Sequence, residues 1–158
     1  MPRPTTTLAL GRRTELRELL AHASSLGVSV HVAHIDGPQR GFYDAELRRV
    51  VYDYELTPVE RDTVLAHELG HVFYDHRCYG NPAFEAAADY YAACLLIDPE
   101  RYIAAEAIDP SPDAIAEELG VEPRLIRAFE ARALTRVRGV TYVHSKMGAR
   151  QYRYAAAH

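Results

Sequence analysis

The sequence predicts an α+β fold, and three observations indicate it. Apolar residues at helical spacing predict an amphipathic helix over 12–25 that closes at Gly27. Three short segments, at 28–35, 41–44 and 48–54, have the composition of strands. From residue 58 onward the apolar residues recur mainly at a helical period. A small sheet followed by several helices is therefore expected.

Length and composition are those of a compact globular protein. The chain has 158 residues, of which 48% are hydrophobic and 25% charged. It contains no run of 18 apolar residues, so no membrane-spanning helix is expected. The N-terminus lacks the apolar core of an export signal, which predicts a cytoplasmic protein. In that compartment Cys78 and Cys94 are expected to be free thiols.

The strand segments come before the helical part of the chain. Residues 28–35 alternate apolar and polar side chains, which is typical of a half-buried strand. Asp36-Gly37-Pro38 then forms a turn. The segments 41–44 and 48–54 are expected to pair as a hairpin.

Capping residues predict the helices. Thr57 is a suitable N-cap and Pro58 a suitable first residue for a helix over about 58–76. Gly80-Asn81-Pro82 predicts the start of the next helix, which should run over about 82–97. A short helix over 100–107 and a proline-rich joint at 109–112 follow.

The first of these helices contains the sequence His67-Glu68-Leu69-Gly70-His71. Residues four apart lie on one face of a helix, so the two imidazoles can bind one metal ion. This HExxH spacing is typical of zinc metallopeptidases. In such a site Glu68 is the general base, which takes a proton from zinc-activated water and returns it to the leaving amine.

A catalytic zinc usually has three protein ligands, so a third is needed. Glu85 is the leading candidate, because it shares a helical face with Asp89 on the following helix. One of these carboxylates can bind the ion while the other accepts the N–H of a ligating imidazole. His76 lies nine residues after His67, one short of the longer HExxHxxGxxH motif. It is the second candidate and Asp75 the third.

An oxyanion-stabilising group is also expected near the metal. Several residues are candidates, and the sequence does not choose among them: Tyr43, Tyr52, Tyr90, Tyr91 and His76.

Charge is unevenly distributed along the chain. Residues 1–120 contain 10 basic and 20 acidic residues, whereas residues 121–158 contain 8 basic and 2 acidic ones. The basic C-terminal part indicates either an anionic partner such as DNA, or a segment that is solvated or folds onto the acidic body.

The segment 112–133 has apolar, alanine and glycine residues at the spacing of a helix-turn-helix. Its second helix carries Arg124, Arg127 and Arg132 as candidate nucleic-acid or partner contacts. The alternative is a plain helical hairpin that packs on the catalytic part. Residues 137–143 are predicted to form a small β-wing around Gly139.

The motifs together resemble the ImmA/IrrE metallopeptidases, and most closely the actinobacterial and actinophage members. The resemblance covers about 12–135 and is strongest over 48–98. It is carried by the segments Leu56-Thr57-Pro58-Val59-Glu60, Leu65-Ala66-His67-Glu68-Leu69-Gly70-His71-Val72 and Glu85-Ala86-Ala87-Ala88-Asp89-Tyr90-Tyr91-Ala92-Ala93-Cys94-Leu95-Leu96-Ile97.

The resemblance implies a zincin-like fold with an N-terminal helix, a small antiparallel sheet and two metal-bearing helices. It implies one zinc ion held by His67, His71 and Glu85, with Glu68 catalytic and Asp89 behind a ligand. Many members have a second glutamate where this chain has Ala87. Glu85 is preferred here because it gives the four-residue step to Asp89.

The resemblance also implies that the substrate is a helix-turn-helix repressor of a phage, mobile element or stress response. The predicted organisation is a metallopeptidase domain over 1–108, a helix-turn-helix-like segment over 109–144 and a basic tail over 145–158. Two other functions compete with repressor cleavage. One is a DNA-binding regulator with a sensory or structural zinc site, and the other is a small-molecule hydrolase.

Overall fold

A computed structural model describes residues 14–137, 140–144 and 151–155, with side chains described through residue 134. The fold is α+β, as predicted. Six helices lie in these ranges: α1 Leu16–Ser25, α2 Pro58–Phe73, α3 Pro82–Leu96, α4 Pro99–Ile108, α5 Pro112–Leu119 and α6 Pro123–Arg132. The strands are β1 Ser29–Ala33, β2 Gly41–Asp44, β3 Arg49–Asp53, β4 Leu134–Val137, β5 Val140–His144 and β6 Gln151–Ala155. None of the helices within the described ranges has the length and apolarity needed to cross a bilayer.

The first sheet has the order β1-β3-β2 and is mixed. The predicted β2–β3 hairpin is confirmed, since the two strands pair antiparallel. The expectation of a wholly antiparallel sheet is wrong, because β1 pairs parallel with β3. Residues 34–40 lead from β1 past the position of β3 to β2 at the far edge of the sheet. The hairpin then brings β3 back to lie between β1 and β2.

β1 is also more exposed than its alternating pattern predicts. Only Val30 is partly buried, and Val32 is 55% exposed. β1 is an edge strand, and its helical neighbour is α1, whereas α2 packs on β2 and β3. Neither face of β1 is therefore buried, although the alternating pattern predicted one buried face.

The C-terminal strands form a second sheet with the order β4-β5-β6. The β4–β5 pair confirms a hairpin near the predicted wing, although Gly139 lies outside the described residues. β6 was not predicted. Its sequence Gln-Tyr-Arg-Tyr-Ala has the alternation of a strand, which was the available signal.

One hydrophobic cluster runs through the helices. It includes Leu19 of α1, Leu65 of α2, Tyr91 of α3, Tyr102 of α4 and Phe129 of α6. Residues on both sides of position 108 belong to it, and α6 packs directly on α3. The predicted division into domains stays a prediction, but the helical hairpin α5–α6 shares its core with the helices before it.

Helices α2 and α3 approach each other closely at Gly70 and Ala88. A Cβ atom added to Gly70 would lie 2.8 Å from the Cα atom of Ala88, and Ala88 is itself fully buried. The two helix backbones can approach this closely only because neither position has a large side chain.

We therefore predict that Gly70→Ala destabilises the protein by about 1–3 kcal/mol, because the helices must separate. Helix propensity alone would give the opposite sign, about 1 kcal/mol of stabilisation. Urea unfolding of the purified variant measures the difference. A variant as stable as the wild type, or more so, would contradict the close packing.

Candidate metal centre

The position of α2 is set by its first turn. Thr57 is the N-cap, its hydroxyl accepts from the N–H of Glu60, and the Glu60 carboxylate accepts from the N–H of Thr57. This capping box confirms the predicted start of the helix. In the middle of α2 the side chains of His67, Glu68 and His71 are all buried.

Three side chains converge between α2 and α3. The Nε2 atoms of His67 and His71 are 3.1 Å apart, and Glu85 carboxylate oxygens lie 3.1 Å from His67 Nε2 and 3.6 Å from His71 Nε2. Ligand atoms about 2.1 Å from a tetrahedral ion are about 3.4 Å apart. The observed separations fit that geometry, so these residues could hold a metal ion. Glu85 is 39% exposed, which leaves the group open to solvent on one side.

The other nitrogen of each imidazole also has a partner. His67 Nδ1 lies 2.8 Å from Asp89 Oδ1, which is where an orienting carboxylate is expected. His71 Nδ1 lies 2.9 Å from His76 Nδ1, and the His76 ring stacks on Phe84 at 4.0 Å. His76 therefore stands behind His71 and not in the ligand group.

Asp75, the third candidate ligand, is exposed and pairs with Arg77. The remaining candidate, Glu85, is the one whose carboxylate reaches both imidazoles.

The surroundings of His71 favour its neutral form. Burial, together with the charge of His67, holds the pKa of His71 well below its ordinary value. The imidazole is thus neutral at physiological pH, and a neutral imidazole is the form that binds metal ions.

Glu68 is a buried carboxyl with few partners. Burial raises its pKa to about 7, against the charge of His67 and a hydrogen bond from the Tyr43 N–H. Its Oε2 atom has no hydrogen-bond partner among the described residues. An orphaned buried oxygen is unfavourable for folding, so its presence here indicates a functional position. A carboxyl with a pKa near 7 can both accept and return a proton.

The oxyanion candidates differ in position. The Tyr43 N–H bonds to Glu68 and His76 lies behind His71, and an oxyanion role for any of the five stays a prediction. Tyr43, Tyr52, Tyr90 and Tyr91 are all buried, and the hydroxyl of Tyr91 lies 2.6 Å from His22 Nε2.

Tyr79, which was not among the sequence candidates, also lies beside His71. Its ring centroid is 6.2 Å from that of His71, and its hydroxyl donates to the backbone carbonyl of Tyr43. Burial and the charge of Glu68 raise its pKa to about 12, so it remains a hydrogen-bond donor at neutral pH. The available signal was its place in the loop that links the two metal-bearing helices.

The three arginines of α6 have different partners. Arg124 donates to Asp89, and its Nε lies 2.9 Å from Glu122. Arg132 lies 5.8 Å above the Tyr90 ring, and Arg127 pairs with Asp113 at an exposed position. A shared nucleic-acid contact by these residues stays a prediction, and for Arg124 the structure shows a different engagement.

Two imidazoles and a carboxylate around one point, with a buried carboxyl beside them, define a candidate metallohydrolase within an α+β domain. Comparison with protein families then identifies the family. The model for the IrrE N-terminal-like domain, peptidase M78, matches residues 23–129, and the chain belongs to this peptidase family. The predicted ImmA/IrrE relationship is thereby confirmed, while the actinobacterial or actinophage type stays a prediction. A comparison with curated proteins gave no match.

The raised pKa of Glu68 predicts a pH-dependent stability for the metal-free protein. Its ordinary pKa is 4.5 and its folded value about 7, so the folded state binds more protons between these values. Stability contributed by the protonated carboxyl is therefore lost as the pH rises through 7.

Metal-free Glu68→Gln should accordingly be more stable than the metal-free wild type at pH 8, by up to about 3 kcal/mol. The difference should shrink as the pH falls toward 4.5. Urea unfolding in the presence of a chelator measures both, with Glu117→Gln at an exposed position as the matched control. A difference that does not change with pH would contradict the burial argument.

Proposed function

We propose that the protein is a zinc-dependent endopeptidase that cleaves a helix-turn-helix transcriptional repressor. The observation that carries the proposal is the convergence of His67, His71 and Glu85 beside the buried carboxyl of Glu68. Two imidazoles and one carboxylate are a donor set that zinc takes in catalytic sites. A purely structural metal site does not need a buried carboxyl with few hydrogen-bond partners beside it.

When bound, the metal ion supplies Lewis acidity, which activates a water molecule and polarises the peptide carbonyl. Glu68 is the group that holds the proton in transit. It accepts the proton from water and delivers it to the amine that leaves when the peptide bond breaks. In the metal-free protein burial raises its pKa to about 7, so the group can hold a proton near neutral pH.

Tyr79 is proposed as the hydrogen-bond donor to the negative charge that develops on the carbonyl oxygen. Its hydroxyl now donates to the Tyr43 carbonyl at the edge of β2. With substrate bound, the hydroxyl would donate to the reacting carbonyl oxygen instead of to the carbonyl of Tyr43. A cavity of about 430 Å³ between β2 and the loop 76–79 lies next to this hydroxyl and offers room for substrate side chains.

The substrate is proposed from the family resemblance. Such a repressor binds DNA and would therefore share the cytoplasm that the sequence predicts for this protein. Peptidase membership implies a protein substrate, and any helix-turn-helix repressor encoded next to this gene is the first one to test.

The function is tested by metal analysis and by incubation with that repressor. The purified wild type should contain about one zinc per chain and should cut the repressor. Glu68→Gln should keep the zinc and lose cleavage, by a factor of about 10³ or more. Glu85→Ala should lose most of the zinc, whereas the exposed Glu117→Ala should change neither. Cleavage that persists in Glu68→Gln, or zinc that persists in Glu85→Ala, would overturn the assignment.

The role of Tyr79 has its own test. Tyr79→Phe should lower kcat by about 10²-fold, with KM and zinc content little changed, because only the transition state gains from the phenol. Tyr54→Phe, which changes an exposed tyrosine, is the control. Steady-state cleavage of the repressor measures both variants. An undiminished or higher kcat would show that the hydroxyl has only its contact with Tyr43.

A further inference from the structure

A row of alternating charges connects the start of β2 to the metal centre. Arg40, which precedes β2, binds Glu122 through both carboxylate oxygens, at 2.6 and 3.1 Å. Glu122 also accepts from Arg124, and Arg124 donates to Asp89. Asp89 in turn accepts from His67 Nδ1. The row thus links residues of α2, α3 and α6 with the segment that precedes β2.

Glu122 stands at the N-cap of α6 but does not cap it. The side chains at the N-caps of the four preceding helices, Thr57, Asn81, Asp98 and Ser111, each accept from a backbone N–H of their own helix. The Glu122 side chain makes no such bond. It binds two guanidinium groups instead, at a position where a side-chain cap would stabilise the helix by about 1 kcal/mol.

The shared atom in this row is Asp89 Oδ1. It accepts from His67 Nδ1 and from the guanidinium of Arg124, whose Nη1 is 3.5 Å from the same imidazole nitrogen. Burial alone would raise the pKa of Asp89. The hydrogen bond from His67 and the charge of Arg124 outweigh it, so the pKa lies below its ordinary value. The carboxylate is therefore kept as an acceptor, and its orientation is fixed from two sides.

We propose that Arg124 is a positioning residue of the metal centre. It bridges Asp89 and Glu122 and so holds the Asp89 carboxylate in place against His67. The inference rests on the proposed function, because it assumes that His67 binds a metal. It makes the first turn of α6 part of the centre, although α6 supplies no ligand.

Burial distinguishes this row from ordinary surface ion pairs. The side chains of Glu122, Asp89 and Arg124 are 17%, 24% and 35% exposed, whereas those of Arg127 and Asp113 are 60% and 77% exposed. Exposed pairs contribute little, while charge-assisted hydrogen bonds in partly buried sites are stronger. The planar guanidinium can also donate to two carboxylates at fixed angles, which an ammonium cannot do.

The test compares Arg124→Met with Arg127→Met, which removes a guanidinium from the same helix at an exposed position. Zinc affinity is measured by competition with a chromogenic chelator, and ligand geometry by the visible spectrum of the Co²⁺-loaded protein. Loss of a partner behind a ligand typically weakens metal binding 10–100-fold. We expect about a tenfold weaker affinity and an altered Co²⁺ spectrum for Arg124→Met, and neither change for Arg127→Met.

A double variant tests whether Arg124 acts through Asp89. Asp89→Asn should weaken zinc binding at least as much as Arg124→Met, and the double variant should bind no more weakly than Asp89→Asn alone. Additive losses would show that Arg124 does not act through the carboxylate. Should Arg124→Met fail to fold, Arg124→Lys keeps the charge without the fork, and wild-type zinc affinity in that variant overturns the proposal.

The two proposals fail in different ways. A wild-type protein that binds neither Zn²⁺ nor Co²⁺ would overturn the proposed function itself. A wild type that binds zinc, together with an Arg124→Met variant of equal affinity and equal Co²⁺ spectrum, would overturn only the role of Arg124.

Discussion

The contact between Gly70 and Ala88 is the constraint on which the candidate site depends. It brings α2 and α3 close enough for side chains of both helices to meet around one point. Gly70 immediately precedes His71, so this tight contact falls beside the imidazoles. A larger residue at either position would push the Glu85 carboxylate away from the two histidines, whatever the chemistry of the residues themselves.

Two carboxyl groups of the candidate site have opposite environments, and the difference agrees with the separate roles proposed for them. Glu68 is buried with one orphaned oxygen, so its pKa is raised and it can exchange a proton near neutral pH. Asp89 is surrounded by donors, so its pKa is lowered and it stays an anion. Neighbouring acids with pKa values shifted apart are the usual sign of divided labour, one in proton transfer and one in electrostatic support.

Much of the fold and of the candidate site could be predicted from sequence, because those features depend on residues close together in the chain. The caps at Thr57 and Asn81, and the spacing that puts His67 and His71 on one face, depend only on nearby residues. The parallel pairing of β1 with β3 could not be predicted, because it depends on the path of residues 34–40. Tyr79 was missed for the same reason. Nothing in its neighbours along the chain shows that its loop folds back against β2.

The helix-turn-helix spacing was a local pattern with two interpretations, a DNA-binding motif or a plain helical hairpin. Gly120 has φ +67° and ends α5 in the left-handed region, which is common at helix C-termini whether or not a hairpin binds DNA. A DNA-reading hairpin presents the N-terminal residues of its second helix to the bases. Here that end of α6 carries Glu122 and Arg124, whose charges pair with Arg40 and Asp89. The start of α6 thus lies against α3 beside the candidate metal centre, and DNA binding by this hairpin stays a prediction.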